Sequence, residues 1–124
     1  MSKVSKSSPI PMQTEAIKKI ALKALDELKA ENVLVLDVRK YASFTDFMIF
    51  ASGKSTRHVK SIASEVIETA KKASLPTLGI EGEDVGEWIL VDLGDVIVHV
   101  MLPDTRQFYE LEKLWSEELV ELEQ

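Results

Sequence analysis

The sequence predicts an α/β fold: a single mixed β-sheet of about five strands flanked by helices. Three observations carry that prediction. Residues 14–30 and 56–73 each repeat apolar side chains at helical steps, and short runs at 33–38 (β-branched), 47–52, 77–80, 88–93 and 96–102 have strand length. The run 96–102 is apolar on both faces except at His99, which marks a central strand covered on both sides. The order α β β α β β β α mixes local hairpins with one helical crossover, so antiparallel and parallel pairings must share one sheet.

Residues 1–13 are rich in Ser, Lys and Pro and predict a mobile tail, within which Met12 offers an alternative start. In 14–30 the stripe Ile17, Ile20, Ala21, Ala24, Leu25, Leu28 defines an amphipathic helix, with Lys18, Lys19, Lys23 and Glu27 on its wet side. VLVLDV at 33–38 is a strand, YASFTD at 41–46 a polar loop with aromatic anchors, and FMIFAS at 47–52 a second buried strand. Gly53 breaks that strand, and Ser55 caps the helix at 56–73, whose stripe is Val59, Ile62, Ala63, Val66, Ile67, Ala70. Pro76 follows its end. A brief strand at 77–80 leads into the acidic loop EGEDVGE at 81–87.

The stretch 88–115 then reads as a hairpin feeding a helix. Gly94-Asp95 is a two-residue Gly-X turn between strands 88–93 and 96–102. Pro103 ends the ladder, and Asp104 with Gln107 resembles a capping box for a helix at 104–116. Phe108, Leu111 and Trp115 share the core face of that helix, while Tyr109 and Glu112 lie off it. Residues 14–118 therefore form one domain, followed by an acidic tail at 119–124.

Composition narrows the function. With 45% hydrophobic and 29% charged residues the chain has the make-up of an ordinary globular domain, and no apolar run approaches the length of a membrane span. No secretory leader is visible at the start, and the absence of cysteine removes thiol chemistry and disulfides; cytoplasmic residence is the expectation. A net charge of −6 disfavours coating a nucleic-acid backbone and favours a basic protein surface as partner.

Catalytic patterns are thin. Gly53-Lys54-Ser55 resembles the tail of a phosphate-binding loop, but Met48 stands where that motif needs glycine, and an ordinary strand-to-helix turn is the stronger reading. A nucleotidyltransferase, whose element order is not far from this one, would also need paired aspartates for magnesium, and no D-x-D occurs. Glu81, Glu83 and Asp84 read as a solvated loop rather than a cation site. His58 and His99 lack the companions of a metal centre, so no metal or cofactor is expected. His99 reads as a core histidine with a buried hydrogen-bond partner, for which Asp46 is the candidate. A Ser55–His99–Asp46 triad lacks the G-x-S-x-G elbow.

The ordered set Ser43-x-Thr45-Asp46, Gly53-x-Ser55-x-Arg57-His58-Val59, Gly86-x-Trp88, Asp92-x-Gly94-Asp95, Val98-His99-Val100 and Arg106-x-x-Tyr109-x-Leu111-Glu112-x-x-Trp115 resembles the ribosomal silencing factors, the RsfS or iojap family. The resemblance covers roughly Thr14 to Glu118; Lys54 and Met48 are mild departures from it. It implies a nucleotidyltransferase-like fold without transferase activity. It also implies binding to the large ribosomal subunit through ribosomal protein fourteen, which blocks joining of the small subunit and represses translation when nutrients are scarce. Trp88, Asp92, Tyr109 and Glu112 are the contact residues it suggests, the aromatics as anchors and the carboxylates as partners for Lys or Arg. Homodimerisation of the free protein is a further implication. The alternative is a divergent nucleotidyltransferase-like enzyme that uses the Gly53–Ser55 turn for phosphate.

Overall fold

A computed structural model describes residues 12–109 of the chain. In order, the elements are α1 (Met12–Glu27), β1 (Glu31–Asp37), β2 (Phe47–Ser52), α2 (Thr56–Lys72), β3 (Gly79–Glu81), β4 (Trp88–Asp92), β5 (Val96–Met101) and α3 (Pro103–Tyr109). The strands form one five-stranded sheet in the order β1-β2-β5-β4-β3. Only the β2–β5 pair is parallel; β1–β2, β3–β4 and β4–β5 are antiparallel. The predicted mixed sheet is therefore present, with β5 at its centre and every residue of β5 buried.

The alternation of side chains divides the sheet into two faces. One face carries Phe47, Ile49 and Ala51 from β2, Ile89 and Val91 from β4, and Val96, Val98 and Val100 from β5. Against it pack Ile17, Ala21, Ala24 and Leu25 of α1 and Val59, Ile62, Ala63, Val66 and Ala70 of α2. The two helical stripes read from the sequence are thus the lid of the main core. The other face holds a smaller cluster of Leu36, Met48, Phe50 and Met101 with Val38, edged by Leu34, Ala42 and Trp88.

The end of α1 departs from expectation, whereas α2 ends within one residue of the expected 73; both close in the same way. α1 closes at Glu27 rather than near Ala30, because Lys29 adopts φ 57° and the Ala30 and Lys29 amides donate to Leu25 and Asp26 carbonyls at 2.9 and 3.0 Å. α2 ends the same way: Ser74 has φ 63°, and the Leu75 and Ser74 amides donate to Ala70 and Lys71 at 2.8 and 2.9 Å. Both are Schellman closures built without glycine, which leaves no glycine signal in the sequence. At its start α1 reaches back to Met12, two residues into the stretch expected to be a tail.

Three smaller corrections follow. Lys18 is not fully solvated: its ammonium sits 4.5 Å from the centroid of the Phe47 ring, a cation–π contact. β1 begins at Glu31 and carries an irregularity before Leu34, where Asn32 takes φ 52°; such a kink blunts an edge strand. α3 begins at Pro103, with the Arg106 amide donating to the Leu102 carbonyl at 2.9 Å, so Leu102 is the N-cap. Pro103 occupies the first helical position, where its missing N–H costs nothing, and Asp104 lies within the first turn instead of capping it. The predicted segments 110–116 and 119–124, and residues 1–11, lie outside the described residues.

Candidate partner-binding face

The hairpin sets the geometry. Gly94 has φ +90°, as the first position of a Gly-X turn requires, and the Leu93 amide donates to the Val96 carbonyl at 2.9 Å. A two-residue turn fixes the register: Asp92 faces Ile97, Leu90 faces His99, and Trp88 faces Met101. Along β4, Ile89 and Val91 are buried on the helical face, while Trp88, Leu90 and Asp92 are half-buried on the other. The shared face expected for Trp88 and Asp92 is therefore observed.

Each of these side chains has a defined local role. The Trp88 indole Nε1–H donates to His99 Nδ1 at 3.1 Å. The imidazole is stacked on Phe50 with centroids 4.7 Å apart and planes 9° from parallel, and it is only 5% exposed. The indole can only donate, so Nδ1 accepts and the ring proton of the neutral imidazole sits on Nε2. Burial pushes the His99 pKa down to about 4, since charging the ring here would remove a cation from water without an acidic partner. Asp92 Oδ1 accepts the Gly94 amide at 2.8 Å, so this carboxylate also shapes the turn.

α3 starts beside this face. The Leu102 amide donates to the Glu87 carbonyl at 3.0 Å, next to Trp88 in the chain. Arg106 Nη1 donates to Ser52 Oγ at 2.9 Å, tying the first turns of α3 to the end of β2. Ser52 is 1% exposed and ends an otherwise apolar strand, which is the signal that points to a polar partner for it. Tyr109 is the last residue of α3, about 10 Å along the helix axis from Leu102 at the usual rise. Its side chain, Glu112 and Trp115 lie outside what the structure describes.

The Asp46–His99 pairing expected from the sequence does not occur. Asp46 Oδ2 accepts from Thr14 Oγ1 at 3.2 Å, and the same hydroxyl lies 3.0 Å from Asp95 Oδ2. The partner of His99 is Trp88, on a neighbouring strand rather than a loop. Sequence reasoning missed this contact, although the two-residue turn already placed Trp88 and His99 on one face of adjacent strands.

The pieces of the weaker catalytic readings are also separately employed. Ser55 Oγ accepts the His58 amide at 3.1 Å as the cap of α2, and His58 Nδ1 accepts the Lys54 amide at 2.9 Å. Two backbone donors a phosphate would use are therefore taken. Gly53 is small for packing: a Cβ there would stand 2.8 Å from Val59 Cγ2 and 2.9 Å from its backbone nitrogen. Ser55, His99 and Asp46 belong to three different hydrogen-bond groups and form no triad. Among the described residues no group of three His, Asp or Glu side chains could hold a metal ion. A groove of about 400 Å³ runs along α2 between Leu28, Arg57, Lys60, Ser61 and Glu65, on the helical side of the sheet.

Comparisons with known proteins agree with this fold. Residues 11–124 match the family model described as ribosomal silencing factor during starvation, RsfS. A Chromobacterium violaceum protein named ribosomal silencing factor RsfS is 44% identical over 105 residues, covering 85% of this chain and 86% of that protein. A Mus musculus protein named mitochondrial assembly of ribosomal large subunit protein 1 is 38% identical over 95 residues, covering 74% of this chain and 42% of its own length. A crystal structure of a Chromobacterium violaceum protein matches with a TM-score of 0.83 at 44% identity, over 85% of this chain and 88% of that one. The chain belongs to the ribosomal silencing factor family.

Proposed function

We propose that this protein binds the large ribosomal subunit through ribosomal protein fourteen and, by occupying the surface where the small subunit docks, prevents subunit joining and represses translation under nutrient limitation. It acts in the cytoplasm as a steric block and performs no catalysis. Family membership supports the ribosomal setting, and the name of the Mus musculus relative points to the large subunit. The observation that carries the contact surface is the alignment of Trp88, Leu90 and Asp92 on the sheet face away from α1 and α2. An aromatic anchor flanked by carboxylates on a chain of net charge −6 suits a basic protein partner. Tyr109 and Glu112 complete the proposed contact.

The test is co-sedimentation with isolated large subunits and a subunit-joining assay, with a melting curve for every variant. Trp88→Ala and Tyr109→Ala each remove an anchor, for an expected loss of about 2 kcal/mol, or roughly thirtyfold in affinity. Glu112→Lys sets like charge against like and weakens binding further. Asp92 is a poor probe, because its carboxylate also holds the Gly94 turn. Folded variants that bind and block joining like the parent would place the contact elsewhere. Sedimentation of the free protein decides separately whether it self-associates as a homodimer.

A further inference from the structure

We propose that His99 is a positioning residue for partner binding: its imidazole holds the Trp88 indole in the orientation the partner meets. The proposal rests on the reading of the Trp88 face given above. A strand fixes where a side chain leaves the backbone but not where a long ring points, because two side-chain torsions remain. Trp88 is half-buried at the rim of the smaller cluster, so packing alone constrains the indole less than it would a core ring. The bond from Nε1 to His99 Nδ1 supplies a directional constraint, and it uses the one polar atom the indole has.

The acceptor is itself fixed. His99 lies mid-way along β5, paired with Leu90 on one side and with Phe50 on the other. Its ring is stacked on Phe50 and sits at 6.1 Å, centroid to centroid, from the Trp88 ring. The imidazole cannot swing away without breaking the stack, so it acts as a fixed post for the indole. An anchor ordered before the encounter spares the complex the cost of ordering it on binding. That cost corresponds to roughly three- to tenfold in affinity for one rotamer-rich side chain.

Two substitutions separate positioning from packing. His99→Asn places a carbonyl oxygen near the Nδ1 position, keeping the acceptor while losing the stacked ring. His99→Phe keeps a ring on Phe50 and removes the acceptor. Affinity for isolated large subunits, melting temperature and hydrogen exchange of the Trp88 indole N–H are measured for both. Expected are near-parental affinity and a protected indole for His99→Asn, and three- to tenfold weaker binding with faster indole exchange for His99→Phe. In a Trp88→Phe background, His99→Phe should cost no further affinity. His99→Leu carries the same comparison should His99→Phe lose its cooperative melt.

Equal weakening by Asn and Phe, in step with their melting temperatures, would show a structural role only and overturns the proposal. So does parental binding by His99→Phe while Trp88→Ala binds weakly, and in that case the contact surface itself survives. Parental binding by Trp88→Ala overturns the surface and this role together.

Discussion

Acidification should loosen this protein at a specific point, the imidazole of His99. Its folded pKa is about 4, against 6.5 for an ordinary histidine, and the cause is burial. The unfolded chain therefore binds this proton more readily than the folded one as pH falls. The stabilisation is complete above pH 6.5 and is lost progressively as pH falls toward 4. A difference of that size amounts to about 3 kcal/mol in all, of which about 2 kcal/mol is gone by pH 5. The assay is urea unfolding at pH 7, 6 and 5, comparing the parent with His99→Asn, which has no titrating ring. The difference between the two profiles isolates His99, because every other group is common to both. Asp37 falls outside this window. Burial raises its pKa, but hydrogen bonds from Arg39 and the charges of Arg39 and Lys18 outweigh that and set it below 3.8. Its contribution is present above pH 3.8 and is lost only as pH falls further, through the lowered folded value. Parallel parent and His99→Asn profiles between pH 7 and 5 would refute the assignment of a buried, neutral His99.

Three further outcomes are expected. Lys29→Gly relieves a left-handed residue at the end of α1 and should raise stability by about 0.5–1 kcal/mol, seen as a melting temperature several degrees higher; an unchanged or lower melt contradicts the closure described. Gly53→Ala forces a methyl against Val59 and should lower stability by about 1–3 kcal/mol in urea unfolding, whereas a neutral effect would mean the turn has room. Ser52→Ala removes the acceptor for Arg106 and should cost about 1 kcal/mol, and it should weaken large-subunit binding by loosening the start of α3; unaltered binding in a destabilised variant separates α3 from the contact.

What was legible in the sequence was whatever depends on periodicity. β2 was read residue for residue at Phe47–Ser52, and β5 was identified as central from its two-sided apolarity. The faces of α1 and α2 followed from their stripes, because burial is the quantity that periodicity encodes. The end of α1 was less legible, since a left-handed cap at Lys29 without glycine looks like any polar position, whereas the end of α2 was read to within a residue with Pro76 beyond it. On the candidate site, the shared face of Trp88 and Asp92 was legible, but the partner of His99 was not. Trp88 faces Met101 and His99 faces Leu90, so the Trp88–His99 bond is a diagonal contact. Periodicity selects the face of a diagonal pair, and side-chain torsions decide whether the two meet.

A histidine at this place needs a reason beyond filling space. The neighbouring positions of β5 carry valine, isoleucine and methionine, all buried. An imidazole among them gives up most of its hydration, a loss that an aliphatic side chain would not incur. Only Trp88 among the described residues turns that polar group to use, and Trp88 stands on the face whose composition fits a basic partner. On the helical side the buried polar group is Thr14 of α1, whose hydroxyl meets Asp46 and Asp95 at the end of the sheet; the core beyond it is aliphatic apart from Phe47. The sheet is thus asymmetric. The helical face is apolar along the middle of its strands, while the other accepts a polar pair there, Trp88 with His99. An apolar substitute would avoid the cost of burying a polar group, so the presence of the pair supports the proposed role of His99 in orienting Trp88.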